Sequence, residues 1–173
     1  MAQIDDFKAE LAGGGFRVNQ FRVTITPPAG IAIGLDVRNT SFLCKSTEIP
    51  EITLGEIELA YRGRKIMIAG DRDTTGDWTT TFYMDTDMQV INALQRWNNG
   101  INDFDTNLGV NSLSDYATDL TAELLDRDDT VLKTYIFKNA WPKTISGLSL
   151  DSANESAIAE FTCTWKYQNY SLS

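Results

Sequence analysis

Strict alternation of apolar and polar positions marks most of this chain as β-strand. Phe21, Val23 and Ile25 alternate with Arg22, Thr24 and Thr26, and Pro27-Pro28 ends the run. Ser41 to Ser46 reads as a second strand, with Phe42 and Cys44 sharing one parity. Ile66, Ile68 and Gly70 alternate with Met67 and Ala69, so both faces of that stretch are fairly apolar. Gly70-Asp71-Arg72 interrupts the pattern, and Asp73 to Gly76 supplies turn chemistry. Trp78 to Met84 resumes as an aromatic and β-branched strand. Strand, polar loop and strand predict a hairpin, with Asp71 and Arg72 as an ion pair at its turn. Val131 to Trp141 predicts a strand stopped by Pro142, followed by a turn over 144–150 with apolar anchors. The cleanest alternation closes the chain. Phe161, Cys163, Trp165 and Tyr167 fall on one face, and Glu160, Thr162, Thr164 and Lys166 on the other.

One segment carries the helical period. Thr86 is a good N-cap, Asp87 suits a helix start and Gln89 completes a capping box. Val90, Ile91, Leu94 and Trp97 then share a face, backed by Met88, and Asn98-Asn99-Gly100 ends the helix. A lone helix among strands should lie across a sheet and bury Ile91, Leu94 and Trp97. Residues 5–12 predict a turn or two of helix with Phe7 and Leu11 paired, stopped by Gly13-Gly14-Gly15. Residues 1–15 therefore read as a flexible N-terminal arm. In residues 46–62, Ile52 and Leu54 alternate, as do Ile57 and Leu59, with Gly55 between the pairs and acids around them. Two readings stay open. One is a hairpin of the core; the other is a protruding loop whose Ile49, Ile52, Leu54 and Ile57 bury only against a neighbouring copy. Residues 98–130 are polar and read as a long surface excursion, with a short helical turn through Leu120 and Leu124. Together these elements predict a single domain over residues 1–173. It is mainly β, a β-sandwich or partly open barrel, with one flanking α-helix.

Charge and composition remove several functions. The chain has 24 acidic residues against 15 basic and a net charge of −9, which argues against gripping nucleic acid. With no histidine, neither a Ser-His nor a Cys-His nucleophile can be built. Asp71, Asp73 and Asp77 have the look of a calcium loop, but no glutamate closes it at the twelfth position. No catalytic, cofactor-binding or metal residue is therefore predicted, and no cofactor. Cys44 and Cys163, the only cysteines, read as small core residues in a reducing compartment. No apolar run approaches the ~20 residues that a membrane span needs. Met1 to Asp6 lacks the basic and apolar regions of a signal peptide, so no membrane anchor or export is expected.

Several motifs carry a family resemblance. Arg64-Lys65, Ala69-Gly70-Asp71-Arg72 and Asp77-Trp78-Thr79 resemble the core of the tail tube protein family of contractile-tailed bacteriophages. Arg17, Asn19, Phe21 and Val23 resemble that family's lead-in strand, and Phe42, Cys44 and Lys45 its next segment. Trp141-Pro142, Leu148, Leu150, Phe161 and Trp165 resemble its C-terminal half.

The resemblance implies a building block and no enzyme. Copies would form hexameric rings whose sheets join into one inner barrel, stacked helically as the tail tube through which DNA leaves. Residues 46–62 would reach into the next ring. Gly70, Asp71, Arg72, Trp78, Trp141 and Pro142 would be its structural motif residues, with Asp71 and Arg72 fixing a corner or pairing across subunits. Implied partners are the protein itself, sheath, baseplate or initiator, tape-measure and tail-terminator proteins. DNA would pass the lumen without specific binding. The implied location is the virion, after assembly in the host cytoplasm. For the lumen lining, the hydroxyl-rich faces Thr79, Thr81, Thr162 and Thr164, with Glu160 nearby, are the candidates; ordinary solvated strand faces are the alternative. Two other functions remain open. One is the tube subunit of a related contractile injection or type VI secretion machine; the other is a stand-alone acidic β-sandwich binding module.

Overall fold

The computed structural model describes residues 4–11, 14–73, 76–153 and 155–173. Its elements in chain order are α1 (Ile4–Glu10), β1 (Phe21–Thr24), α2 (Val37–Leu43), β2 (Cys44–Glu48), β3 (Thr53–Tyr61), β4 (Arg64–Asp73) and β5 (Asp77–Tyr83). They continue with α3 (Gln89–Ile101), α4 (Leu113–Tyr116), β6 (Thr118–Leu125), β7 (Val131–Ile145), β8 (Glu160–Lys166) and β9 (Asn169–Leu172). The antiparallel main sheet runs β1-β6-β7-β8-β5-β2, with β9 added on β7. β3 and β4 pair only with each other.

The long strand β7 joins the two halves of this sheet. Its first part pairs with β6 on one side and β9 on the other, and Trp141 to Ile145 pair with β8. The chain turns between these parts at Asn139, which has a φ of 51°. The halves face each other through an aromatic core. Trp78 of β5 stacks on Phe137 of β7 with centroids 4.2 Å apart, and Trp165 lies edge-on to Trp97 of α3 at 5.6 Å. Each buried indole finds a partner: Trp78 Nε1 donates to Thr47 Oγ1, Trp165 Nε1 to Thr80 Oγ1 and Trp97 Nε1 to the Tyr116 carbonyl. The fold is thus mainly β with α3 at its flank, as the alternation predicts, and three short helices join it.

Helix α3 buries the expected face, Val90, Ile91, Leu94 and Trp97. Its ends differ from expectation. The Asp85 carboxylate, not Thr86, accepts the Gln89 amide, and the cap position Met88 has a φ of 52°. Gly100 does not end the helix, which runs on to Ile101. A Cβ on Gly100 would lie 2.7 Å from Ile31, so glycine serves close packing there.

Other expectations are corrected. Residues 37–43 are helical, because Asp36 accepts from the amides of Arg38 and Asn39. Phe42 is consequently exposed and does not share a core face with Cys44. Thr118–Leu125 is not a helical turn but a strand between β1 and β7, with Leu120, Ala122 and Leu125 buried, so the excursion over 98–130 shrinks to the stretch after α3. Pro142 does not stop its strand; it is buried in β7 next to a register shift, where a missing N–H is tolerated. The segment after it anchors at Ile145, which packs partly buried against the core, but not at Leu148 and Leu150, which are exposed. The 64–82 hairpin does not form, since β4 pairs with β3 while β5 pairs with β2 and β8. Asp71 and Arg72 lie within β4, not in a turn, where successive side chains point to opposite faces and do not pair. Residues 74 and 75 of the predicted turn, and residues 1–3, 12 and 13 of the predicted arm, lie outside the described residues. Both cysteines are free, and burial raises both thiol pKa values, that of Cys44 to about 12.

Candidate functional site

Two surfaces gather the candidate residues. The first is the face of β2, β5 and β8 turned away from the core. Cross-strand pairing sets Thr79 opposite Thr164 and Thr81 opposite Thr162, with the hydroxyls of Thr81 and Thr162 3.2 Å apart. On β2, Ser46 and Glu48 extend these two rows, and on β7 Thr144 joins Thr164. The expected quartet Thr79, Thr81, Thr162 and Thr164 is therefore one continuous patch, with Glu160 at its end opposite Tyr83.

The lysines of this face are held by carboxylates. Asp77 accepts from Lys143 Nζ at 2.8 Å and from Lys166 Nζ at 3.0 Å, and Glu160 pairs with Lys45. The hydrogen bonds from Lys143 and Lys166 hold the Asp77 carboxyl below its usual pKa range. Glu160 likewise raises Lys45. Such a face offers hydroxyls and neutralised cations to whatever runs along it. Sequence reasoning placed Lys166 on the face of Thr164 and weighed Asp77 as a motif and calcium-loop residue. It did not bring the two together with Lys143, which strand parity alone does not show.

The second surface is the β3–β4 hairpin, every residue of which is exposed apart from a half-buried Gly70. Its register decides its sidedness. Ile57 faces Ile68, Leu59 faces Ile66 and Tyr61 faces Arg64, so these side chains share one side. Glu56 with Ala69, Glu58 with Met67 and Ala60 with Lys65 share the other, where Lys65 pairs with Glu58 at 2.7 Å. The five apolar side chains Ile57, Leu59, Tyr61, Ile66 and Ile68 are each 46–60% exposed. Gly70 and Gly55 meet where the register shifts: a Cβ on Gly70 would lie 3.1 Å from Gly55 backbone atoms.

The remaining candidates scatter. Ile52 and Leu54 are exposed at the hairpin base, whereas Ile49 packs partly buried against the core. Residues 46–48 belong to β2 in the main sheet, so the projecting part begins later than residue 46 and includes β4. Asp71 and Arg72 are exposed near the hairpin base. Trp78 is core, Trp141 meets Tyr116 edge-on at 6.4 Å, and the Pro142 carbonyl accepts from Asn98. Among the described residues no cluster of three or more His, Cys, Asp or Glu side chains could hold a metal ion. Among the described residues no helix is long and apolar enough to cross a membrane.

Residues 16–173 match the family described as "Phage tail tube protein". The chain belongs to the phage tail tube protein family. It is 31% identical over 169 residues to the tail tube protein of Serratia phage KSP90, covering 96% of this chain and 95% of that one. It is 28% identical over 163 residues to tail tube protein gp19 of Enterobacteria phage T4, covering 93% and 94%. Among solved structures, a chain in the sheath-tube complex of an extracellular contractile injection system superposes with a TM-score of 0.66. It shares 17% identity and covers 100% of this chain and 99% of that chain, a likeness of fold. A chain of the anti-feeding prophage tube-terminating cap gives the same TM-score at 18% identity, covering 92% and 91%. Family membership identifies a structural component of contractile phage-like tails, and the motif Ala69-Gly70-Asp71-Arg72 falls in the hairpin while Asp77-Trp78-Thr79 opens β5.

Proposed function

We propose that copies of this chain join edge to edge into six-membered rings that stack into the inner tail tube, the conduit for DNA ejection. The hydroxyl face of β5 and β8 lines the lumen, and the β3–β4 hairpin reaches the adjacent ring. Sheath would surround the tube, baseplate initiator and terminator would bound it, and the tape-measure protein would occupy it during assembly in the host cytoplasm.

The observation that carries this reading is the uncovered apolar side of the hairpin. An isolated two-stranded hairpin is marginal in water, so an apolar side left bare needs a partner. Fully burying one such side chain contributes roughly 1.5–3 kcal/mol, and these five are about half exposed. Covering them therefore supplies about 5 kcal/mol towards stacking. Edge strands β1 and β2 each pair on one side only, which leaves their ladders free for neighbouring copies. Along the lumen, lysines already bound to carboxylates give phosphate no cationic hold.

Electron microscopy of the concentrated protein, with baseplate initiator added, tests this. The unsubstituted chain is expected to form hollow tubes of stacked six-fold rings. Ile57→Asp with Ile66→Asp should remain folded and fail to stack. Normal polymerisation of that variant would refute the role of the hairpin.

A further inference from the structure

We propose that the apolar side of the hairpin seats in the groove between β1 and β2 of a second copy, its basic tip against that copy's acidic β6–β7 turn. This rests on the tube reading and names the surface that receives the hairpin. The groove is a cavity of about 740 Å³ lined by Phe16, Val18, Phe42, Ile49, Tyr83 and Leu124. Val18 is 86% and Phe42 74% exposed, so the chain carries a second bare apolar surface besides the hairpin. Dimensions agree. The apolar row from Ile57 to Tyr61 and the five-residue β2 each span about 14 Å at ~3.4 Å per residue.

Charge sets the direction. In a chain of net charge −9, the hairpin tip concentrates Arg62, Arg64 and Lys65. At Leu124 the groove adjoins the turn carrying Asp126, Asp128 and Asp129, because β1 pairs Phe21 with Leu124 and the Leu125 amide donates to the Gln20 carbonyl. The rival occupant is α1, whose Ile4, Phe7 and Leu11 are also exposed. Its Asp6 and Glu10 share the sign of the turn's three aspartates, against the single Arg127 there, so the basic hairpin tip is the better match in charge. Two different surfaces that fit each other make a heterologous contact, which propagates along a stack.

The test uses the full chain with Val18→Cys and Leu59→Cys in a Cys44→Ser background; Cys163 is buried. Oxidation of assembled tubes is expected to give a ladder of covalent multimers at least tenfold above either single-cysteine chain. Tyr61→Cys in place of Leu59→Cys serves if the first pair does not assemble. Tubes that stay monomeric after oxidation with both pairs overturn the groove assignment and leave the tube reading standing. A ladder from Phe7→Cys with Val18→Cys, absent from the hairpin pairs, makes α1 the occupant and overturns it too. Failure of the unsubstituted chain to form any tube overturns the tube reading, and this inference with it.

Discussion

Asp77 is the group whose loss should change how the hydroxyl face treats a polyanion. Asp77→Asn keeps the shape but removes the charge that binds Lys143 and Lys166. The three side chains are 36%, 46% and 31% exposed, so solvent screens both pairs. Each exposed pair contributes at most about 1 kcal/mol, and the thermal midpoint should fall by only a few degrees. The electrostatic effect is larger in kind. Asp77→Asn removes one negative charge per copy from the face proposed to line the lumen. One more neutralised phosphate per engaged subunit steepens log K against log salt by about 0.9. The assay is binding of short duplex DNA to open-ended tubes between ~50 and ~200 mM salt, beside ejection rate from assembled virions. Asp77→Asn tubes should retain DNA at low salt and release it as salt rises. An unchanged salt slope in a folded, assembled variant would refute the reasoning. The sign of the pH dependence follows from the lowered Asp77 pKa. A carboxyl depressed in the fold stabilises above its unfolded value of about 3.9, and the gain disappears as pH falls through the folded value. Acid should mimic the variant only below about pH 3.9, and the parent should show no such change between ~pH 5 and ~pH 8.

Other expectations follow from single contacts. Trp97→Ala removes a fully buried indole that packs on Trp165 and donates to Tyr116, and should cost about 3–5 kcal/mol in denaturant unfolding. Asp85→Ala removes the carboxylate that caps α3 and should cost about 1 kcal/mol by the same measurement, whereas Thr86→Ala should be near neutral. Gly70→Val puts a side chain against Gly55 across the hairpin. Global stability should change by less than about 1 kcal/mol, since the hairpin lies outside the core, while tube yield and hairpin amide protection fall.

Sequence alternation exposed faces and hid partners. The parity of Phe161, Cys163 and Trp165 against Thr162 and Thr164 is a local property of one strand, and the fold keeps it. The α3 face is legible for the same reason, because Val90, Ile91, Leu94 and Trp97 repeat at the helical period. Caps and stops failed by small margins. Asp85 and Thr86 are adjacent side chains equally able to accept an amide, and only the Asp85 carboxylate reaches Gln89. Pro142 looked like a stop, yet the register shift beside it leaves no amide to be missed. Asp36 outweighed the strand-like parity of Phe42 and Cys44 because a filled N-cap decides a seven-residue helix.

The hairpin shows why the rest was out of reach. Alone, β4 looks apolar on both faces, with Ile66 and Ile68 on one and Met67 and Ala69 on the other, as a buried core strand would. Pairing with β3 sets Glu56 opposite Ala69 and Glu58 opposite Met67, which makes one side polar. Ile57 and Leu59 join Ile68 and Ile66 on the other, and only there does an apolar surface form. Sidedness here belongs to the pair and to its register, which Gly55 and Gly70 shift by meeting at close range. A one-residue slip would set Glu58 beside the isoleucines and abolish the apolar side, so the register that shapes this hairpin also decides whether it can bind a neighbour.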